Sequence, residues 1–531
     1  MNPKAPYAVL LDTTSIQKYI FQSNKLRTHL GGSQLVISAH EKFLHEAIKL
    51  STSYSIGINI WQGENGNLLK DFEKYPVQIG YIGGGNALLF FKNEKTANDF
   101  LYTYTKLLMI HAPGLQIALA KTDNFDIDKF TDNMDRLLAQ LKTNKYRHVP
   151  VVELPRHGIT ADCPQCGLSA EAWNGDVNET GYVSSGILAK INASREFRRN
   201  LDHVYEILLN NQFTFTSQLE RLGQIKGEDN YIAVVHIDGN QMGDRFADTK
   251  SLKELRDLSV SLDKATKTAF WKLIEYLIKH YGDLMEDIGH PGVKKGQAPK
   301  ELTESGLKIL PICPIILGGD DVTFVCEGHL GIFLAQKYIE FFQKENVSDE
   351  KLLTACAGVA ISKTKSRFHQ TYYLAEELCA RAKALSREQD DGPVSCIDFH
   401  IAARSMSGSL STIREKHYSV PMGDLLFRPY ILSDNLHQKK CFSLCLQKTL
   451  ELSRWPRNKI HELGEVLNQS DLAVKEFIQN LKFRKLALPP IAEFPDYAER
   501  GFAYNQDTPY FDMIELMMFY PKSQLNKIKV T

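Results

Sequence analysis

Hydrophobic residues occur in short runs that predict β-strands, and these runs form two similar series along the chain. Residues 7–12 read YAVLLD and residues 231–238 read YIAVVHID, so each is an apolar run that ends in an acid. In both series a glycine turn between two apolar runs then predicts a hairpin, at 81–91 (YIGGGNALLFF) and at 315–326 (IILGGDDVTFVC). Because the order and the approximate spacing are shared, we interpret the two series as diverged copies of one module.

The second series alternates predicted strands with predicted helices around one central hairpin. This order is typical of a ferredoxin-like α+β fold, and we expect its helices to lie on one face of the sheet. The predicted elements are strands at 231–238, 353–361 and 394–399, a hairpin at 308–326, and helices at 251–280, 329–345 and 370–387.

The chain is too long for one compact core, and several domains are expected. After the second module we predict helices over 433–453, 461–482 and 510–519. The predicted division is a first module at 1–142, an insert with two cysteines at 143–228, a second module at 229–403 and a helical C-terminal domain at 404–531.

Composition indicates the charge and the cellular environment of the protein, and says little about its chemistry. Lys+Arg and Asp+Glu each total 63, so the net charge of zero gives no overall field to attract nucleic acid or an anionic membrane. The nine cysteines are mostly scattered through predicted strands and helices, which favours reduced thiols over a disulfide framework. The sequence contains no signal peptide and no run of about twenty apolar residues, so we expect a cytoplasmic protein with no membrane contact.

Three carboxylates come together if the strands of the second module are neighbours. Asp238 ends one predicted strand, and Asp320 and Asp321 lie in the hairpin turn Gly318-Gly319-Asp320-Asp321. Clustered carboxylates raise one another's pKa unless a cation neutralises them, and Mg²⁺ prefers oxygen ligands. The sequence therefore predicts a divalent-metal site, whereas a plain hairpin turn is the alternative interpretation of the tetrapeptide alone.

The segments IDGNQMGDRF (237–246) and LGGDDVTF (317–324) resemble the active palm of the large subunit of type III CRISPR effector complexes. More distantly, they resemble GGDEF diguanylate cyclases and class III nucleotide cyclases. Other segments that fit the family are LDTTSIQKYIFQSNKLRTHLGGSQL (11–35), YLAEELCARAK (373–383), CIDFHI (396–401) and FRPYIL (427–432). The resemblance covers most of the chain, in the order palm, cysteine-bearing insert, palm and helical domain.

The resemblance implies a nucleotidyltransferase that condenses ATP into cyclic oligoadenylates and releases pyrophosphate, with two Mg²⁺ or Mn²⁺ ions as cofactors. By position, Asp238 and Asp320 would ligate metal, and Asp321 would be a further ligand or would support one. In the second palm, the residues expected to contact the nucleotide are Gly239, Asn240, Gly318, Gly319 and Lys383.

The first copy lacks most of these acids. It reads Gly84-Gly85-Asn86-Ala87 where the second copy has GGDD, and Asp12 is its remaining strand-end carboxylate. We predict that this palm is catalytically silent and that Gly84, Gly85 and Asn86 still bind a second nucleotide, the alternative being a packing role alone. For Lys383 of the second copy, an ordinary solvent-exposed lysine is the alternative interpretation, and the sequence alone favours it.

Two cysteines in the insert form a CxxC motif, which commonly holds half of a zinc site. Cys163 and Cys166 are not followed by a second CxxC, so His148 or His157 would have to supply further ligands. The family often carries a four-cysteine zinc site here, and this sequence leaves Zn²⁺ binding and a degraded site as equal alternatives. We interpret His236, inside a predicted strand, as structural.

Three functions remain open at this point. The first is a cyclase in antiviral defence, with ATP as substrate, RNA or another defence protein as activator, and a cyclic-nucleotide effector downstream. The second is a subunit of an RNA-guided complex whose palm acts only when target RNA is bound, and the third is a nucleotide-sensing pseudoenzyme. The first palm begins near residue 6 and the chain has no His-Asp dipeptide, so we expect no HD nuclease activity, as in a stand-alone relative.

Overall fold

The protein has a mixed α+β architecture, as predicted, with two large sheets that correspond to the two modules. The computed structural model describes residues 6–52, 72, 75–147, 161–176, 179–225, 230–290, 302–390, 392–402, 408–491, 494–503 and 506–528.

The first module is an antiparallel sheet with helices on both faces. Its elements are β1 (Tyr7–Thr14), α1 (Ile16–Ile20), α2 (Leu26–Ser38), α3 (Leu44–Thr52), β2 (Val77–Gly83), β3 (Asn86–Phe91), α4 (Glu94–His111), β4 (Gln116–Thr122) and α5 (Phe130–Arg147). The strands lie in the order β2-β3-β1-β4. Because side chains alternate along a strand, Val9 and Leu11 of β1 pack with α2, α3 and α4, while Ala8 and Leu10 pack with α5.

The insert connects the modules and packs closely on the first. It contains β5 (Ala172–Asn174), β6 (Gly181–Val183), α6 (Ser185–Val204), α7 (Glu206–Leu209) and β7 (Phe213–Thr214). A Cβ placed on Gly31 of α2 would lie 1.7 Å from the carbonyl oxygen of Lys190 on α6. Only glycine therefore allows these two helices to approach so closely.

The second module repeats the order of strands and helices of the first and contains additional short elements. It contains β8 (Tyr231–Gly239), α8 (Met242–Ala247), α9 (Leu252–Lys279), α10 (Tyr281–Asp287), β9 (Thr303–Glu304), β10 (Leu307–Ile309), β11 (Ile312–Gly318), β12 (Asp321–Glu327), α11 (Gly331–Phe342), β13 (Ala355–Lys363), α12 (Phe368–Arg387) and β14 (Cys396–Ala402). The strands, helices and hairpin predicted for this module are confirmed within a few residues.

The C-terminal region is mainly helical. It contains α13 (Leu410–Tyr418), β15 (Ser419–Val420), β16 (Gly423–Asp424), β17 (Tyr430–Ile431), α14 (Phe442–Leu452), α15 (Arg457–Val466), α16 (Asp471–Phe483), α17 (Pro495–Arg500), α18 (Tyr510–Phe519) and α19 (Lys522–Leu525). The single helix predicted over 461–482 is wrong, because Ser470 accepts a hydrogen bond from the Ala473 N–H and starts a new helix. Across the described residues, no helix has the length and apolar character needed to span a lipid bilayer.

The sheet of the second module has six strands, in the order β11-β12-β8-β13-β14-β17, so the C-terminal region supplies one of them. The expectation that the helices lie on one face is wrong. A Cβ on Gly358 of β13 would lie 2.0 Å from the Ala375 carbonyl oxygen of α12, whereas a Cβ on Gly331 of α11 would meet Ala233 on the other face. Strand β13 is buried at almost every position, so helices must cover both of its faces.

The two modules pack against each other through equivalent elements. Helix α9 of the second module packs on β2 of the first, and α2 of the first packs on β11 of the second. Arg256 of α9 donates hydrogen bonds to the carbonyl oxygens of Ile79 and Gly80. The hairpin turns meet, since a Cβ on Gly319 would lie 3.7 Å from the Cα of Gly84. This reciprocal arrangement is that of an isologous dimer, here formed within one chain.

Candidate active site

Strand register places the acids of the second module at one edge of its sheet. In the antiparallel pair β8–β12, Asp321 lies directly opposite Asp238. Asp320 occupies the preceding turn position, and its backbone carbonyl oxygen accepts a hydrogen bond from the N–H of Gly239, the residue after Asp238. The structure therefore brings together the three carboxylates that the sequence singled out.

This cluster is short of positive charge. Burial, and then the charge of Asp238, raise the pKa of Asp320 and of Asp321 to about 7. Within the described part of the chain, Oδ1 of Asp321 accepts no hydrogen bond. The Nδ1 atom of His236 lies 3.4 Å from that oxygen, but burial lowers the pKa of His236, so its ring stays neutral. Carboxylate oxygens without a neutralising partner fit a divalent cation such as Mg²⁺.

Lys383 of α12 points into the same cluster. Its Nζ lies 2.6 Å from Oδ2 of Asp238 and donates to the Gly239 carbonyl oxygen at 3.0 Å, and its side chain is only 20% exposed. The interpretation of Lys383 as an ordinary solvent-exposed lysine is therefore wrong. Among the described residues, no three Cys, His, Asp or Glu side chains are arranged as a formed metal site. In this conformation the ammonium group of Lys383, rather than a metal ion, neutralises the charge of Asp238.

The glycines around the acids have different roles. A Cβ on Gly239 would lie 2.8 Å from the Cβ of Asp320, so glycine is needed for the turn to approach β8. Gly319 has a φ of +59°, which favours glycine. A Cβ on Gly318 would meet no atom of the described residues within 4 Å, which leaves open space beside the acids.

The Asn240 side chain stabilises the site through buried hydrogen bonds. Its side-chain amide donates to the Val394 carbonyl oxygen at 3.0 Å and to the hydroxyl of Thr354 at 3.1 Å. The backbone N–H of Asn240 donates to the Thr354 carbonyl oxygen, and that of Gly239 donates to the Asp320 carbonyl oxygen. Both N–H groups are thus engaged within the protein, and contact of these two residues with a nucleotide stays a prediction.

One face of α12 carries further polar groups that sequence reasoning did not assign to the site. Tyr372, Glu376 and Lys383 lie at helical spacing along this face, and the charge of Glu376 helps to raise the pKa of Asp321. The ring of Tyr372 contacts the ring of His236, with centroids 5.8 Å apart. The spacing of these residues relative to Lys383 was the signal available in the sequence.

The first module has an equivalent but weakened site. Its β1–β3 register pairs Asp12 with Asn86, as Asp238 pairs with Asp321 in the second module. Asn86 therefore corresponds to Asp321, and Gly85 to Asp320. The alignment of Gly84-Gly85-Asn86-Ala87 with GGDD is wrong by one residue, because three successive glycines make the register ambiguous in sequence. Both hairpins also carry a β-bulge four residues before the turn.

A lysine that the sequence analysis missed completes this comparison. Lys145 forms an ion pair with Asp12, as Lys383 does with Asp238. Each lysine follows the first residue of its helix, α5 or α12, by fifteen positions, and this shared spacing could have identified it. The Asp–Lys pair borders a cavity of about 330 Å³, which is lined by Leu10, Asp12, Tyr81, Asn86, Leu138, Leu141, Lys142 and Lys145.

The CxxC motif provides two sulfur ligands in a tight turn. The Cys163 carbonyl oxygen accepts a hydrogen bond from the Gly167 N–H, the Cys166 sulfur lies 3.3 Å from the Ser184 hydroxyl, and Cys163 is buried. His148 and His157 lie outside the described residues. Zinc binding therefore stays a prediction. All nine cysteines fall within the described ranges, and each carries a free thiol.

The raised pKa values make protein stability depend on pH. Asp320 and Asp321 have a pKa of about 7 instead of 3.8, so the stability that their protonation contributes is present in acid and is lost as the pH rises through about 7. Compared with an Asp320→Asn/Asp321→Asn double variant, we expect the metal-free protein to lose on the order of 1–3 kcal/mol of unfolding free energy between about pH 5 and about pH 8. Urea unfolding of both proteins at several pH values measures this change in unfolding free energy. At high pH, Mg²⁺ should restore the stability of the wild type and not that of the double variant. Identical pH profiles would contradict the expectation.

Comparison with known proteins points to one family. Residues 231–390 match the family model described as Cas10/Cmr2, second palm domain, which confirms the resemblance drawn from the motifs of the second module. Solved structures that are similar include a Csm1-Csm4 cassette in complex with cA4 (12% identity, 97% of this chain and 70% of that chain, TM-score 0.45). Another is Csm1 in T. onnurineus (14% identity, 97% and 69%, TM-score 0.47). No curated protein matches the chain.

Proposed function

We propose, from the premise that residues 231–390 form a Cas10/Cmr2 second palm domain, that this chain condenses ATP into cyclic oligonucleotides in antiviral defence. The observation that carries the proposal is the convergence of Asp238, Asp320 and Asp321 beside the open space at Gly318. In each condensation a ribose hydroxyl oxygen would bond to the α-phosphorus of a second ATP. The bond from that phosphorus to the oxygen that bridges the α- and β-phosphates would break, so that pyrophosphate leaves with this oxygen and the hydroxyl proton passes to solvent.

The residues of the second palm would have different roles in this reaction. Asp238, Asp320 and Asp321 would hold two Mg²⁺ or Mn²⁺ ions, which when bound supply charge neutralisation for the hydroxyl and for the departing pyrophosphate. Lys383 would turn from Asp238 towards the phosphates, because its long side chain can swing once the carboxylate is neutralised by other means. Gly318 and Gly319 would leave room for the triphosphate.

The first palm would bind a second nucleotide without catalysing its reaction. Its cavity of about 330 Å³ is bordered by Lys142 and Lys145, which suit phosphates, and by the side chain of Leu138, which suits a base. Of the three acids in the second palm, the first palm retains only the counterpart of Asp238, which is Asp12. Gly85 and Asn86 take the places of the two missing carboxylates. Nucleotide held opposite the active palm, near Gly84, would present the second reactant.

The experiment that tests the proposed function is a product assay. The purified full-length protein would be incubated with each of the four NTPs and Mg²⁺ or Mn²⁺, with and without RNA, and the products identified by mass spectrometry. Cyclic oligoadenylates and pyrophosphate are expected from ATP. Absence of any linear or cyclic oligonucleotide under all these conditions would refute the cyclase and favour a nucleotide-sensing pseudoenzyme.

A second candidate function is favoured by the family match itself. A Cas10/Cmr2-type palm is expected to act within an RNA-guided complex, where binding of target RNA would switch on the same site. Isolation of the chain from its native host, followed by sequencing of bound RNA, separates the two candidates. Co-purification with small guide RNA and a backbone protein would support the complex, and activity of the isolated chain without RNA would support a stand-alone enzyme.

A further inference from the structure

Two helices of the C-terminal region form a hairpin with one strongly basic end. Helices α15 and α16 are joined by residues 467–470, and Lys459 near the start of α15 places its Nζ 5.8 Å from the centre of the Phe477 ring on α16. The start of α15 and the end of α16 therefore lie at the same end of the pair. Exposed cations and the exposed Phe483 lie there together, and we call them the basic tip, whose cations are Arg454, Arg457, Lys482, Arg484 and Lys485.

The cations of the basic tip have no acidic partners. Within the part of the chain that the structure describes, none of the five forms an ion pair. The acids that flank Arg454 and Arg457 in sequence are Glu451 and Glu462, and each of them is already paired with a lysine. The basic tip therefore presents positive charge that the protein does not neutralise.

A basic run elsewhere in the chain shows the contrast. On α6, Arg195 pairs with Asp176 at 3.5 Å and Arg198 pairs with Glu304 at 2.7 Å. These arginines are neutralised within the protein, so a basic run alone does not leave charge available for a ligand. The basic tip is distinguished by its lack of acids.

Two features of the basic tip do not favour folding. Phe483 is 87% exposed, although burial of a phenylalanine side chain would stabilise the fold. Lys485 has a φ of +58°, in the left-handed region where glycine is the usual residue after a helix. Because unfavourable conformations are retained mainly where they serve function, these two residues favour a binding role for the basic tip.

The chemistry of the basic tip fits a single strand of nucleic acid. Unpaired cations bind phosphates, and the release of counterions drives that binding. An exposed aromatic ring provides a face on which an unpaired base can stack, whereas the bases of a duplex are already stacked. Phe483 lies between Lys482 and Arg484 in the chain, so one short segment can hold a base and its flanking phosphates.

A lipid surface fits the basic tip less well. Peripheral helices bury a continuous apolar face in the headgroup region of a bilayer. Leu472, the other strongly exposed apolar residue of α16, lies at the opposite end of that helix. Phe483 is therefore a single aromatic side chain among cations, which suits one stacked base rather than a bilayer.

We infer that the basic tip binds single-stranded nucleic acid, with Phe483 stacking on a base and Lys482, Arg484 and Lys485 contacting phosphates. This inference does not rest on the proposed function, because the basic tip belongs to the C-terminal helices and to neither acidic site nor cavity of the palms. RNA and DNA share the chemistry that the basic tip recognises, and the test distinguishes them.

The test measures nucleic-acid binding by the full chain, without nucleotide, through fluorescence anisotropy. The probes are a labelled, unstructured RNA of about twelve nucleotides and the DNA of the same sequence. In Lys482→Gln/Arg484→Gln/Lys485→Gln we expect affinity to fall about tenfold or more at about 0.1 M KCl. The slope of log affinity against log salt concentration should decrease by about 2, since each lost phosphate contact contributes about 0.7.

A separate variant, Phe483→Ser, distinguishes stacking from charge. Its affinity should fall about tenfold with the salt slope unchanged, because a stacked base releases no counterions. The control with the same loss of charge is Lys42→Gln/Lys267→Gln/Lys351→Gln, whose lysines are exposed, lie outside the C-terminal helices and are each paired with an acid. This control should bind as the wild type does, and thermal melting compares the folding of all variants.

Several results would overturn the inference. Unchanged affinity in the Lys482/Arg484/Lys485 variant would do so, as would an equal loss in the control. A lower melting temperature without a change in affinity would show that these cations serve only to stabilise the C-terminal end of α16. Wild-type affinity in Phe483→Ser would refute the stacking contact.

Two competitors separate nucleic acid from other anionic partners. If poly-glutamate displaced the RNA at equal charge, the partner would be an acidic protein and the inference would fail. Binding to vesicles of phosphatidylcholine and phosphatidylserine that depends on Phe483 would refute it in favour of a membrane surface. Binding of either probe that depends on the basic tip supports the inference, and the ratio of the two affinities identifies RNA or DNA as the preferred strand.

Discussion

Changing Asp321 to asparagine is expected to reduce nucleotide condensation by about 10³-fold or more, because the variant loses a charge that the metal ions require. Asparagine has nearly the same shape, so the β8–β12 pairing opposite Asp238 should persist. Initial rates of pyrophosphate release from ATP, measured at saturating Mg²⁺, give the size of the effect.

The matched control for this change is Asp244→Asn. Asp244 is an exposed acid on α8, six residues after Asp238, and it lies outside the acidic cluster. Full activity of Asp244→Asn together with loss in Asp321→Asn would locate the chemistry at the hairpin. If Asp321→Asn retained wild-type rates, the acidic cluster would not be the reaction centre.

The largest effect on stability is expected from Arg428→Met. Arg428 is fully buried, with its guanidinium 2.5 Å from Glu515 and 3.5 Å from Asp512, and it lies over the ring of Phe399 on β14. Removing the arginine leaves two buried carboxyls, whose pKa values burial already raises. We expect a loss of about 3–5 kcal/mol in unfolding free energy, measured by urea denaturation.

Two further variants show whether charge is the cause. Arg454→Met, at an exposed position after α14, should change the unfolding free energy by less than about 0.5 kcal/mol. Replacing Arg428, Asp512 and Glu515 together by methionine, asparagine and glutamine should recover most of the loss, since the charges of all three partners are removed together. A triple variant as unstable as Arg428→Met would instead indicate that packing over Phe399 dominates.

Much of the second module could be predicted because its signals are local. Apolar runs and glycine turns define strands and hairpins through short-range geometry, so β8, β11 and β12 follow from the sequence. Asp238 ends a strand and Asp320 lies in a hairpin turn, and these positions predict that the two carboxylates lie close together. Even the two-sided cover of β13 is indicated by its continuous apolar run, in contrast to the expectation of helices on one face.

The features that were missed depend on contacts between distant segments. The hydrogen bond from the Phe368 N–H to the Asn24 side chain joins two modules, and no local pattern marks it. Lys145 is of the same residue type as any surface lysine, and only the packing of α5 directs it towards Asp12. The register of the first hairpin was misassigned because three successive glycines hide which of them ends the strand, and the structure places Gly83 in β2, opposite Asn86.

The meeting of two modules within one polypeptide has an evolutionary consequence. In a dimer of identical chains every mutation appears on both sides of the axis, so the two halves cannot specialise. Here Asp321 and Asn86 occupy matching places in the two modules and are different residues. Selection can therefore refine one half for reaction while the other half is adapted to bind. The halves have also become matched to each other, so transplanting one of them into a relative should fail unless its counterpart is moved with it.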